Sequence, residues 1–136
     1  MRDDNCIFCK LANGVFPTNS IYEDEKFNVI LDVSPATKGH ALILPKEHYK
    51  NLYELPDDMA ADVMKLAKKL ATEMTEKLGA DGFNLVQNNN EVAGQTVFHF
   101  HMHLIPRYTD DGQKIAWKPL EPTQDELEAT KNQIIG

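Results

Sequence analysis

Three histidines at alternate positions, His99, His101 and His103, are the residues of this sequence best suited to chemistry. Apolar residues surround them: Phe98, Phe100, Met102 and Leu104. Because successive side chains of a strand point to opposite faces, this alternation predicts a strand whose imidazoles share one face, roughly 6–7 Å apart. Lys, Thr or Glu would solvate an exposed face equally well, yet three of the chain's five histidines lie here. The segment therefore indicates a functional site.

Two kinds of chemistry are open to such a set of imidazoles. Histidines on one strand face can hold a catalytic metal ion. They can also act as nucleophile, acid and base, because imidazole titrates near neutral pH. The residues after His103, at positions 104–108, add no carboxylate and no further histidine to complete a catalytic metal site. This favours the nucleophile and acid–base interpretation.

The two cysteines, Cys6 and Cys9, have the spacing C-x-x-C. The residues before them are charged and lack the apolar segment of a signal peptide, so we expect a cytoplasmic protein. In a reducing compartment this spacing favours half of a metal site over a disulfide. The alternative is a pair of buried thiols with no ligand.

The elements that must position these residues predict an α+β fold. A helix begins after Pro56 and ends at Gly79, since apolar residues recur in it at three- and four-residue steps. A capping box at Thr123 and Glu126 predicts a short C-terminal helix, and a helical turn precedes Gly14. The predicted strands cover residues 20–22, 27–31, 41–44, 83–87 and 97–105. We expect an antiparallel sheet with the long helix packed on one face.

Composition limits the remaining possibilities. The 136 residues suit one domain, 1–136, and 42% apolar with 26% charged residues is typical of a globular protein. The net charge of −7 argues against nucleic acid as a partner, which requires a basic surface. No apolar run approaches the length of a membrane span, so no membrane association is expected.

Several segments resemble the histidine-triad (HIT) superfamily. The histidine segment 97–105 matches its His-φ-His-φ-His-φ-φ signature, where φ is an apolar residue, and Ala93-Gly94-Gln95-Thr96 precedes it as in that family. Segments 32–35 and 39–48 resemble its other blocks, and the likeness spans roughly residues 5–108. The nearest branch looks like the Hint-type nucleoside phosphoramidate hydrolases. The resemblance implies one HIT domain, with a metal half-site in residues 1–15 and a C-terminal tail at 109–136.

The resemblance also implies catalytic roles. His101 would attack the α-phosphorus of a purine nucleotide derivative, such as an AMP or GMP phosphoramidate, and form a nucleotidyl-histidine. His103 would contact the phosphate and assist proton transfer to the leaving group. His40 would orient the catalytic histidines, or alternatively cap the following strand. Two other functions stay open: hydrolysis of dinucleoside polyphosphates, and regulation by nucleotide binding with little turnover.

Nucleotide contacts are implied as well. Asp32 falls where the family binds the ribose hydroxyls, although an Asp before Ser-Pro is also a common turn former. Asn88, Gly94, Gln95 and Thr96 would lie at the phosphate, with the last two residues donating hydrogen bonds. Pro106-Arg107 also occurs in the dinucleotide-hydrolysing branch.

Metal-bearing members of the superfamily complete a C-x-x-C pair with two histidines. The corresponding positions here imply a zinc site of Cys6, Cys9, His48 and His99. Four protein ligands leave no open position, so this zinc would be structural. The resemblance further implies a homodimer whose tail, including Trp117, reaches the partner.

Overall fold

The computed structural model describes residues 1–136 and contains three α-helices and five strands. In chain order these are α1 (Ile7–Ala12), β1 (Ser20–Glu23), β2 (Phe27–Leu31), β3 (Ala41–Pro45), α2 (Asp57–Leu78), β4 (Gly82–Val86), β5 (Met102–Arg107) and α3 (Gln124–Ile135). Short 3₁₀ turns cover Leu52–Glu54 and Glu91–Ala93.

The strands form one antiparallel sheet in the order β1-β2-β3-β5-β4. Each neighbouring pair is antiparallel, so the predicted α+β architecture is confirmed. β5, which carries His103, lies between β3 and β4 and is therefore held by ladders on both sides. A site built on an internal strand is positioned more firmly than one on an edge.

The helix α2 has the bounds that the sequence predicts. Asp57 and Asp58 lie in its first turn, where negative charge is favourable, and Gly79 ends it in the left-handed conformation with φ 69°. Its buried face consists of Met59, Val63, Leu66, Ala67, Leu70 and Met74. This face packs on the sheet in a core that includes Phe100, Met102 and Leu104. The apolar side of the histidine segment therefore lies under α2, as predicted, except for Phe98, which is 46% exposed.

The predicted strand 97–105 is wrong at its start, because β5 begins at Met102. The pairing of β5 with β3 ends at Met102 opposite Ile43, and its pairing with β4 ends at His103 opposite Val86. Farther along β3 comes Pro45, which has no N–H to donate to a ladder. The backbone of His99 and His101 therefore lies outside the regular strand.

The helix α1 covers the sheet face opposite α2. Ala12 is fully buried there in a second, smaller core with Ile30, Leu42 and Leu44. Asn13 fixes the end of α1, since its side-chain amide donates to the carbonyls of Cys9 and Lys46. The end of α1 is thus tied to the residue after β3, and Phe8 of α1 lies against His101.

The tail after residue 108 ends in α3, whose predicted capping box is present at Thr123 and Glu126. No residue of α3 is buried, and Trp117 is 81% exposed.

None of the helices combines the length and the apolar character needed to cross a membrane.

Candidate active site

A cavity of about 500 Å³ opens beside the histidine segment. His101 and His103 line it together with four residues singled out in the sequence: Asp32, Asn88, Gly94 and Thr96. Much of the remaining lining is apolar and is called here the apolar wall: Phe8, Leu11, Ile30, Leu31, Leu42 and Val97. No Lys or Arg lines the cavity. The cavity therefore combines a few polar groups with a largely apolar lining, the usual composition of a small-molecule site.

His101 is held in one tautomer. Its Nδ1 lies 2.8 Å from the carbonyl oxygen of His99, so Nδ1 must carry the hydrogen and donate it. In the neutral ring, Nε2 then keeps its lone pair. Burial lowers the pKa of His101, although the bond to the His99 carbonyl and the nearby Asp32 act in the opposite direction. The ring of Phe8 meets the imidazole edge-on, with centroids 4.8 Å apart and an interplanar angle of 89°. The result is a fixed neutral imidazole with a free Nε2.

His103 is fixed in the complementary tautomer through His40. The backbone N–H of Ala36 donates to Nδ1 of His40 at 2.9 Å, so the hydrogen of His40 is on Nε2. That Nε2 lies 2.9 Å from Nδ1 of His103 and donates to it. The hydrogen of His103 is therefore on Nε2. Burial first, and then His101 and His40, lower the pKa of His103 to about 4, so this ring is neutral near pH 7 and presents an N–H donor.

Asp32 forms the turn that its position before Ser-Pro predicts, and it also faces His40. One carboxylate oxygen accepts the N–H of Ser34 at 2.8 Å, which forms the turn, while the other lies 3.6 Å from Nε2 of His40. Asp32, His40 and His103 place three ligand-type atoms within 4.8 Å of one another. The Ala36 N–H argues against a metal ion there, because it leaves the hydrogen, and not a lone pair, on Nε2 of His40. His40 and His103 form a hydrogen-bond relay, and the Asp32 carboxylate lies beside it without a hydrogen bond to either ring.

The loop between β4 and β5 contributes Asn88 and Thr96. The side chains of both residues line the cavity and make no hydrogen bond within the protein. Asn89 and Asn90 instead accept hydrogen bonds from Leu52 and Asn51, which lie in the segment before α2. Among the three consecutive asparagines, Asn88 is therefore the one available to a ligand.

The structure gives Gln95 a different use from the phosphate contact expected of it. Its side chain is 1% exposed, donates to the carbonyls of Lys50 and Val97, and accepts the N–H of Asn90. The N–H groups of Gly94 and Gln95 are also bonded within the turn. Gln95 thus shapes the loop, since a buried amide satisfies its own hydrogen bonds first.

Cys6, Cys9, His48 and His99 come together outside the cavity, with their ligand atoms within 4.8 Å of one another. Three sulfur–nitrogen distances between the cysteine Sγ atoms and the histidine Nδ1 atoms are 3.4 Å. Tetrahedral zinc with bonds of about 2.3 Å to sulfur and 2.0–2.1 Å to nitrogen would separate these atoms by about 3.6 Å. The geometry therefore fits a zinc ion closely.

The tautomer of His99 also fits a metal ligand. Its Nε2 lies 2.9 Å from the carbonyl oxygen of Pro45 and donates to it, so Nδ1 presents a lone pair to the two sulfurs. Backbone N–H groups of Asp3 and Cys9 donate to Sγ of Cys9 and Cys6. Such bonds favour thiolates, although burial raises the pKa of Cys9 in the metal-free state. The four residues can hold a closed structural zinc.

Comparison with known proteins agrees with this geometry. The HIT domain family matches residues 13–110, and the chain belongs to this family. An uncharacterised HIT-like protein of Methanocaldococcus jannaschii is 49% identical over 110 residues, 81% of this chain and 84% of that protein. An adenosine 5′-monophosphoramidase of Schizosaccharomyces pombe is 36% identical over 131 residues, 96% of each chain.

Solved structures give the same result. A HIT family member from Bacillus subtilis superposes with a TM-score of 0.90 at 40% identity, covering 97% of this chain and 96% of that one. A zinc-bound histidine triad family protein from Mycobacterium smegmatis superposes with a TM-score of 0.75 at 36% identity, covering 96% of both chains.

Sequence reasoning missed two parts of the site. The apolar wall, including Phe8 and Leu42, comes from elements distant in sequence, and no local pattern marks it. Ala36 fixes the tautomer of His40 through its backbone N–H, and a backbone group carries no sequence signature.

Proposed function

We propose that the protein hydrolyses phosphoramidates of purine nucleoside 5′-monophosphates through a covalent nucleotidyl intermediate on His101. The observation that carries the proposal is the pair of opposite tautomers in one cavity: His101 has a free Nε2 lone pair, and His103 has an Nε2–H. A nucleophile and a hydrogen-bond donor are the two groups that phosphoryl transfer needs from histidine.

In the first step Nε2 of His101 attacks the α-phosphorus, and the bond from phosphorus to the leaving nitrogen breaks. The Nε2–H of His103 donates a hydrogen bond at the reacting phosphate, where negative charge develops in the transition state. His103 also assists the proton transfer that lets the nitrogen leave as an amine. Water then attacks phosphorus and releases His101. Overall, the hydroxyl of one water ends on phosphorus and its remaining hydrogen on the amine.

The cavity also supports a choice of substrate. The apolar wall would pack on a purine, and Asp32 at the cavity edge would accept hydrogen bonds from the ribose hydroxyls. Asn88 and Thr96 have free polar groups to offer the phosphate. A dinucleoside polyphosphate carries several further negative charges, and no Lys or Arg lines the cavity to meet them. A single phosphate bonded to an amine suits this site better, in keeping with the name of the S. pombe relative.

Cys6, Cys9, His48 and His99 would hold one structural zinc ion. When bound, the ion supplies a crosslink and no reaction chemistry, because four protein ligands leave no position for water. It would tie α1, and with it Phe8, to the histidine segment that carries His101.

A turnover screen tests the proposal. Phosphoramidates of AMP, GMP and UMP would be compared with dinucleoside polyphosphates, with release of the nucleoside monophosphate measured. We expect the two purine phosphoramidates to be the best substrates. Tight AMP binding without turnover would favour a regulator, and faster cleavage of polyphosphates would contradict the choice of substrate.

A further inference from the structure

The loop that supplies the Ala36 N–H is held by residues at the end of β5 and just after it. The hydroxyl of Thr37 donates to the carbonyl of Pro106 at 2.6 Å, and the hydroxyl of Tyr108 donates to the carbonyl of Lys38 at 2.7 Å. The side-chain amide of Gln113 donates to the carbonyl of Ala36 at 3.0 Å. Segment 106–113 therefore bonds to three consecutive residues of segment 36–39.

Packing adds to these hydrogen bonds at Gly39. This residue has φ +92°, and a Cβ here would lie 2.5 Å from Cδ1 of Leu78 and 3.2 Å from Cγ of Pro106. A side chain has no room, so the backbone of segment 36–39 lies directly against segment 106–113.

Segment 106–113 is itself tied down by one ion pair. Arg107 donates from Nε and Nη2 to the two carboxylate oxygens of Asp111, each at 2.8 Å, and from Nη1 to Asn84 on β4 at 2.9 Å. Asp111 also accepts the backbone N–H groups of Tyr108 and Gln113 at 3.0 and 2.9 Å. The donors of Tyr108 and Gln113 thus project from a turn that is fixed to the edge of the sheet.

A continuous hydrogen-bonded path joins this turn to the active site. Gln113 bonds to the Ala36 carbonyl, the Ala36 N–H bonds to Nδ1 of His40, and Nε2 of His40 bonds to Nδ1 of His103. We propose that Tyr108 and Gln113 are positioning residues: they hold the Ala36 N–H on His40 and thereby keep His103 in its N–H-donating tautomer. The effect on catalysis rests on the proposed function of His103. The match to the HIT domain family ends at residue 110, so Gln113 lies beyond it.

The test is a double variant, Tyr108→Phe with Gln113→Leu, which removes two donors without touching the cavity. The matched control makes the same changes at Tyr53 and Gln133, which are exposed and whose side chains make no hydrogen bond. Imidazole ¹⁵N shifts of the protein as purified report each histidine tautomer without substrate. Steady-state turnover of AMP phosphoramidate reports kcat and KM.

In the wild type and the control we expect single Nε2–H tautomers at His40 and His103. In the double variant we expect the Nδ1–H tautomer of His40 to appear, and kcat to fall about tenfold with KM changed less than about twofold, a smaller loss than the 10²–10⁴-fold expected from losing an acid. Unchanged tautomers and kcat in a folded double variant would overturn the inference. Absence of turnover in the wild type would instead overturn the proposed function, and the ¹⁵N comparison would still decide the role of Tyr108 and Gln113.

Discussion

Replacing His48 with Asn should remove the zinc ion and lower the melting temperature. Nδ1 of His48 lies 3.4 Å from Sγ of Cys9, close to the separation of about 3.6 Å across a zinc tetrahedron. The half-buried position of His48 limits the cost of the substitution itself. We therefore expect about one zinc per chain in the wild type and almost none in His48→Asn.

The expected shift follows from linkage. A metal ion present at about a thousand times its Kd stabilises the folded state by about 4 kcal/mol. For a chain of this length each kcal/mol corresponds to roughly 3–4 °C, so loss of the ion should lower the melting temperature by about 12–16 °C. Elemental analysis and calorimetry, each with and without a chelator, measure the two quantities.

The matched control is His40→Asn, which makes the same His-to-Asn change outside the zinc site. His40 belongs to the hydrogen-bond relay with His103, where the bond from the Ala36 N–H argues against a metal ion. This variant loses buried hydrogen bonds and some stability, but it should keep its zinc and still respond to the chelator. His48→Asn should not respond. A wild type without metal, or with a melting temperature that the chelator leaves unchanged, would refute the zinc site and favour two buried thiols.

Three further outcomes are expected. Because burial lowers the pKa of His101 and lowers that of His103 to about 4, both rings stay neutral to below the ordinary histidine pKa. The acid limb of the kcat/KM profile should therefore lie below pH 6.5, and a half-loss at pH 6.5 or above would contradict this. Asp32→Asn should raise KM roughly 10- to 100-fold with a smaller change in kcat, since a hydrogen bond to a charged group contributes about 1.5–3 kcal/mol; an unchanged KM would exclude the ribose contact. Light scattering should give a dimer mass, with the emission of the exposed Trp117 changing on dilution; a monomer at all micromolar concentrations would refute the dimer.

The fold was largely predictable because its signals are local. The periodicity of α2, its Gly79 end and the capping box of α3 are each contained in a few residues, and each is present. The start of β5 was not predictable, since it depends on where β3 and β4 stop pairing. An alternating sequence pattern indicates which face of a strand each side chain prefers. A strand also needs neighbouring strands that continue alongside it to accept and donate its backbone hydrogen bonds.

The site likewise has features that local sequence predicts and features that depend on distant residues. Motif spacing was enough to place His101 and His103 at one site, and the resemblance was enough to bring Cys6 and Cys9 together with His48 and His99. The tautomers were not predictable, because they depend on the carbonyl of His99 and the N–H of Ala36. The hydrogen bonds of Gln95 were not predictable for a related reason: its buried position, which only the folded loop creates, commits its amide to backbone groups.

The most direct test of the central claim is to trap the intermediate. Brief mixing with an adenosine phosphoramidate and quenching without acid should give a protein heavier by one adenylyl group, with the adduct on the peptide containing His101. His101→Ala should lose adduct and turnover but still bind AMP, and its rate should fall far more than the ~10²–10⁴-fold expected for His103→Ala. An adduct on His99 or His103, or near-normal turnover by His101→Ala, would contradict the account.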